Sequence, residues 1–173
     1  MLDLLLHRRS IRKFTTEPVA EADIEKILQA GLLSPSGRNK TPWEFVVIED
    51  KATLNALGKC RHPQQAFLPD TPLAIAVLGD TTATDVWIED CSIAMTIMQL
   101  EAQTLGLGSC WVQIRNRMAQ GETQTSSDYI KELLSVPAQY DVLAILAIGH
   151  PDETKAPYQL DTLPYKKVHR EKF

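Results

Sequence analysis

A chain of 173 residues is long enough to bury one hydrophobic core of real size. Its 44% apolar and 23% charged residues are the mix of a soluble globular domain, and no apolar run approaches the ~20 residues that a membrane span needs. The net charge of -4 argues against a general nucleic-acid binder, which carries a basic excess.

Met1-Leu2-Asp3-Leu4-Leu5-Leu6 is too short and too acidic for a signal peptide, and Leu2 to His7 is predicted as a short amphipathic helix. It delivers His7-Arg8-Arg9-Ser10-Ile11-Arg12-Lys13-Phe14. Arg8 to Lys13 holds four cations and a hydroxyl in six residues of an otherwise acidic chain. Ile11 and Phe14 can anchor the segment while the cations point elsewhere. Guanidinium forks suit phosphate, and Ser10 adds a short neutral donor, so the stretch reads as an anion site for a phosphate on a small ligand. The other reading is a basic helix end favoured by the helix dipole.

Thr15-Thr16-Glu17-Pro18 breaks the chain. Glu21 to Leu33 then carries Ile24, Ile27, Leu28 and Leu32 at helical spacing, with Gly31 and Ser34-Pro35 as stop signals. The stretch Ser34-Pro35-Ser36-Gly37-Arg38-Asn39-Lys40-Thr41-Pro42 is all turn formers and donors. Taken alone it reads as an ordinary surface loop. It feeds directly into Trp43 to Ile48, a β-rich run predicted as a core strand, and such junctions often hold ligands.

Lys51 to Leu57 is predicted as a short helix and Gly58 to Thr71 as irregular. Cys60 and His62 form a C-x-H pair with no second pair nearby, so no metal site is expected. Leu73 to Leu78 is a continuous apolar strand, covered on both faces. Asp85 to Leu105 is the longest regular segment and is apolar nearly all round, as in a helix buried on more than one side: either a central core helix or, the reading preferred here, one packed against a second subunit. Gly106-Leu107-Gly108 caps it.

Ser109 to Ile114 is predicted as a strand, with Cys110 a small buried residue rather than a redox thiol. Arg115 to Ser126 is polar loop. Ser127 to Leu134 is a short helix capped by Ser127 or Ser126, and Tyr140 to Ile148 is the last core strand. Asp152 to Phe173 has no periodicity and reads as an extended arm that lies on something, such as a partner subunit. The three cysteines, Cys60, Cys91 and Cys110, are odd in number and widely spaced, which suits free thiols in a cytoplasmic protein. The order of elements predicts a single α+β domain, residues 1–173, with helices flanking a small sheet and 152–173 as its arm.

Four of these stretches occur together in a familiar order. They are Arg8 to Phe14; Ser34 to Asn39 with Pro42-Trp43; Leu105-Gly106-Leu107-Gly108-Ser109-Cys110-Trp111; and Ala147-Ile148-Gly149-His150-Pro151. Over essentially its whole length the chain resembles the FMN-dependent nitroreductase family. The resemblance implies an α/β-sandwich-like α+β fold: a small mixed sheet flanked by helices, built as an intertwined homodimer with flavins at the subunit interface.

Carried over position by position, the resemblance sets Arg8 and Ser10 at the FMN phosphate, Arg9 along the ribityl chain and Arg12 at the pyrimidine edge of the ring. Pro35, Ser36, Gly37 and Asn39 match a loop that approaches the flavin from the other subunit. The stretch around Trp111, Val112, Gln113 and Ile114 matches the segment facing the ring near N5, and Gly149 and His150 match a turn close to the phosphate. Two departures stand out. Thr41 occupies a position that is often glutamine. The stretch around Asp161 lacks the usual phosphate arginine, which leaves Lys167 as the cation carried over.

The residues themselves supply no Ser-His-Asp grouping, no H-E-x-x-H and no G-x-G-x-x-G after a strand, and His7, His62, His150 and His169 share no spacing. Chemistry is therefore expected from a cofactor, with the protein providing placement and Arg12 electrostatic support. The implied activity is ping-pong hydride transfer from NADH or NADPH through FMN to nitroaromatics, quinones or similar small acceptors. The alternatives are a flavin-holding or sensing module without turnover, and a phosphate-binding protein with no flavin.

Overall fold

The computed structural model describes residues 1–63 and 65–173; Gln64, within the stretch predicted as irregular, lies outside them. Nine regular elements follow in order: α1 (Leu2–His7), α2 (Glu21–Leu32), β1 (Trp43–Ile48), α3 (Lys51–Leu57), β2 (Leu73–Asp80), α4 (Trp87–Thr104), β3 (Gly108–Gln113), α5 (Ser126–Leu134) and β4 (Tyr140–Gly149). The four strands form one sheet in the order β1-β2-β4-β3.

β2 and β4 occupy the centre, and their runs of Leu, Ile, Val and Ala are buried on both faces. Leu73, Ile75, Val77, Leu146 and Ile148 face α2 and α4, where they meet Ile24, Ile27, Met95 and Met98. Ala74, Ala76, Leu78, Ile145 and Ala147 face the other way, onto Leu54 and Leu57 of α3 and Ile130 of α5. The strand period of two thus divides one apolar run between two helical layers.

The sheet expected as mixed is antiparallel in all its ladders. The one parallel pairing among the described residues is the isolated bridge between Ser10 and Ser109. Continuous apolar strands report coverage on both faces and not strand direction, so the pattern could not separate the two. Trp43 to Ile48, expected in the core, is an edge strand whose Glu44 and Val47 face solvent. The cap of α5 is Thr125, which accepts the Asp128 N–H at 3.0 Å; Ser127 is taken up by the Asp141 carboxylate instead.

α4 is the helix on which the apolar face converges. Cys91, Ala94, Met95, Met98 and Ala102 are fully buried, while Ile93 is 41% exposed. It ends in a Schellman turn: Leu107 donates to the Ala102 carbonyl at 2.9 Å and Gly106 to that of Gln103 at 3.2 Å. Gly106 takes φ +76°, a conformation open to glycine at no steric cost. Residues 156–173 contain only two short 3-10 turns and are exposed throughout. Among the described residues no helix is long and apolar enough to cross a membrane.

Candidate functional site

The N-terminal cations are positioned by packing on one side only. Ile11 is buried against Gly108, where any side chain would collide with it, and its N–H donates to the Ser109 carbonyl at 2.9 Å. Phe14 bridges to Pro151, and Thr15 donates to the His150 carbonyl. The segment is thereby laid along the head of β3 and the tail of β4, with Arg8, Arg9 and Ser10 half-buried and Arg12 exposed.

The chain after β4 folds back over this segment and brings a cation that sequence reasoning missed. Lys155 donates to the Ser10 carbonyl at 2.7 Å and lies 3.5 Å from Glu153. Glu153 accepts the backbone N–H of Arg12 at 2.5 Å, and that bond is the chief reason its carboxyl sits below the ordinary range, with the Lys155 charge adding to it. Burial pushes the Cys110 thiol up and the Glu153 carboxylate adds to that, while Arg12, Lys155 and Arg8 pull it the other way. A cleft of about 210 Å³ opens beside them, lined by His7, Arg9, Ile11, Gly108, Glu153 and Lys155. Arg9 itself turns to the arm: its guanidinium lies 4.6 Å from the centre of the Tyr158 ring and donates to the Ala156 carbonyl.

Gly149 and His150 fall at this same end of the sheet. Gly149 is packed so tightly that a Cβ would sit 2.6 Å from Pro72. Trp111 and Gln113 lie on one face of β3, linked by a 2.9 Å bond from the indole N–H to the Gln113 carbonyl oxygen, and Ile114 is fully buried. Lys167 is exposed in the arm, where its backbone N–H donates to the Pro164 carbonyl. The C-terminal cation that reaches Ser10 is Lys155.

Pro35, Ser36, Gly37 and Asn39 stand elsewhere. Their loop enters β1 at Trp43, whose register partner is Gly79 at the end of β2, and Gly79 in turn pairs with Asp141 near the start of β4. The arginines sit beyond Gly149, at the other end of β4. Eight strand residues separate the two ends, roughly 25 Å at ~3.3 Å per residue. The expected site is therefore split within one protomer into two groups farther apart than one mononucleotide is long. At the loop end a cleft of about 470 Å³ is lined by Trp87, Ile114, Arg115, Arg117, Ser127 and Asp141, among others.

Among the described residues no group of three or more His, Cys, Asp or Glu could hold a metal ion. What the site does hold is a basic donor set with a serine beside a strand edge, which suits a phosphate-bearing ligand.

Comparison with known proteins agrees in fold and in sequence. A model of the nitroreductase family matches residues 5–65 and 59–150. A relative from Archaeoglobus fulgidus, named for NADH dehydrogenase or NAD(P)H nitroreductase activity, is 33% identical over 99% of this chain and 98% of its own length. The solved structure of an FMN-dependent nitroreductase from Clostridium difficile R20291 superposes with a TM-score of 0.96 at 46% identity, covering 100% of both chains. A Parabacteroides distasonis structure named in the same way as the archaeal relative superposes at 0.89 with 28% identity, covering 99% of this chain and 98% of its own. With the motifs, the sheet order and these matches in agreement, the chain belongs to the nitroreductase family.

Proposed function

We propose that this nitroreductase-family protein is an FMN-dependent NAD(P)H oxidoreductase that reduces nitroaromatics, quinones or similar small acceptors. The observation that carries the reading is the basic segment Arg8 to Arg12 laid along the head of β3, with Lys155 donating to the Ser10 carbonyl from the returning chain. FMN, when bound, would supply the redox chemistry, with NADH or NADPH as donor and a small molecule as acceptor in ping-pong order.

The chain's own residues hold and bias that group. Arg8 and Ser10 hold the phosphate, with Lys155 as the C-terminal cation in place of Lys167. Arg9 flanks the ribityl chain from the arm side. Arg12 sets a cation at the pyrimidine edge, where it favours anionic charge. Backbone of β3 from Trp111 to Ile114 faces the ring, and Gly149 and His150 close the phosphate end. The separation of these groups from Pro35, Ser36, Gly37 and Asn39 supports a homodimer, in which the same loop of a second copy meets the ring. The stretches 58–71 and 115–126 shape the acceptor pocket. We read residues 1–173 as one FMN-binding domain with 152–173 as its arm, and a cytoplasmic setting suits its three buried free thiols.

The test is a visible spectrum of the purified protein under argon, before and after NADH and NADPH. The expected result is a yellow protein bleached within the mixing time by at least one donor, and recoloured by a quinone. A colourless protein that takes up no FMN removes the cofactor assignment. A yellow protein that neither donor bleaches removes the turnover.

A further inference from the structure

The loop assigned above to the ring is held by one residue that no motif singles out. Asp90 lies in the first turn of α4 and is 3% exposed. Its Oδ1 accepts the backbone N–H of Gly37 at 2.8 Å. Its Oδ2 is buried and has no hydrogen-bond partner among the described residues. No cation pairs with it among the described residues, so a desolvated carboxylate is spent on a single backbone N–H.

The segment it grips is an unusual piece of backbone. Arg38, Asn39 and Thr41 all take positive φ, at 52°, 56° and 43°. Residues that carry side chains rarely adopt that conformation, and in succession they need outside support. Inside the loop, Ser36 Oγ accepts the Thr41 N–H at 2.9 Å, and the Pro42 carbonyl accepts from Asp80 at 2.8 Å. Those bonds shape the loop and tie its exit. Among the described residues, the Asp90 bond is the one hydrogen bond that fastens its tip to α4. Val86 closes the other side: a Cβ on Gly37 would sit 2.8 Å from its Cγ2.

We infer that Asp90 is a positioning residue for the flavin site: through Gly37 it fixes the loop that presents Ser36 and Asn39 to the ring. The inference rests on the FMN reading. An acidic group near the start of a helix is also favourable to the helix dipole. That role, however, is open to an exposed side chain and does not require burial against Gly37. For stability alone, an apolar residue in such a place often serves as well as an ionised one. Positioning and plain structural support therefore predict different results.

The experiment compares wild type, Asp90→Ala, Asp90→Asn and Gly37→Ala. Each is measured for FMN affinity by fluorescence titration, for thermal midpoint, and for exchange of the Gly37-to-Thr41 amides. Asp90→Ala is expected to bind FMN about 10-fold to 100-fold more weakly, the span of a lost hydrogen bond to a charged acceptor, with faster amide exchange in the loop and little change in midpoint. Asp90→Asn keeps an acceptor of the same shape and is expected within about threefold of wild type. Gly37→Ala displaces the loop from its other side and is expected to match Asp90→Ala, which keeps the test decisive even if the alanine variant at 90 does not fold. Wild type that fails to bind FMN overturns the cofactor reading and this inference with it. Wild type that binds FMN alongside folded Asp90→Ala or Gly37→Ala of undiminished affinity overturns the inference alone. So does a loss of affinity that appears only where the midpoint falls with it.

Discussion

Arg8 ends α1 with its backbone N–H still bonded to Leu4 and its side chain half-buried, and no ion pair engages it among the described residues. Its guanidinium is thus available to a ligand at no cost to the fold. Arg8→Ala should weaken FMN binding by about 1.5 to 3 kcal/mol, the range for a bond between charged groups, and leave the thermal midpoint in place. Equilibrium dialysis with FMN checks this; an alanine variant that keeps stoichiometric flavin sinks the phosphate assignment. Glu153 invites a pH test. Its folded carboxyl titrates below the ordinary 4.5, first because Arg12 donates its N–H to it. A depressed acid stabilises the fold above its unfolded value and loses that contribution as pH falls through the folded value. Wild type should therefore melt above Glu153→Gln at neutral pH, and the gap should close as pH falls below the ordinary carboxylate range and through the folded value. A gap that does not vary with pH would show that the clip carries no charge-dependent stability. Of the residues in this cluster, the arginines were legible because four cations in six positions stand out from an acidic chain. Glu153 and Lys155 were not, because their meaning depends on the chain folding back at Pro151.

The elements were read with more success than their neighbours. β1 and α3 have the predicted bounds, and α2, β2 and β4 differ by a residue or two at their ends. A strand announces itself through its own composition; whether it is central or at the edge depends on which strand lies beside it. That is why β1, which does bury Trp43 and Ile48 in the core, could not be read as an edge strand, and why the sheet's direction was missed. The layer between sheet and α4 illustrates what composition hides. Gly79 lies under Trp87, and a Cβ there would sit 2.3 Å from the indole and 3.1 Å from the Cys91 sulfur. Gly31 makes a similar approach to Met98, at 2.8 Å, but the methionine is the adaptable partner. Gly79→Ala should cost about 1 to 3 kcal/mol, as overpacking against a rigid ring does, and Gly31→Ala distinctly less. Urea unfolding of the two variants decides it, and equal losses would mean that the indole yields as readily as the thioether.

At the scale of the whole molecule, the residues expected at one site occupy two ends of one sheet. The sequence could name them through their motifs, but the distance between them exists only after β2 and β4 are laid side by side. A second feature points the same way. The stretch 156–173 buries nothing of its own, and Tyr165 and Val168 are 62% and 70% exposed. Leu2, Leu5, Leu33 and Ile93 add exposed apolar surface on α1, after α2 and on α4. Surface of this kind is the usual mark of a contact with another chain. The first part of the arm is tied to its own protomer, where Tyr158 donates to the Leu6 carbonyl and stacks under Arg9; from Leu160 onward no side chain is buried. A chain ending at Gln159 should therefore keep its helix and sheet content, since both core clusters are intact without the rest. It should lose the partner and, with it, the loop that completes the flavin site. The expected outcome is a folded monomer by light scattering that purifies with little FMN, beside a yellow full-length dimer. A truncated protein that remains a flavin-loaded dimer would show that the helical faces alone hold the copies together. A full-length protein that is a flavin-loaded monomer would show that one protomer can bring its own loop and arginines to the same ring, which the register of β2 and β4 forbids without refolding.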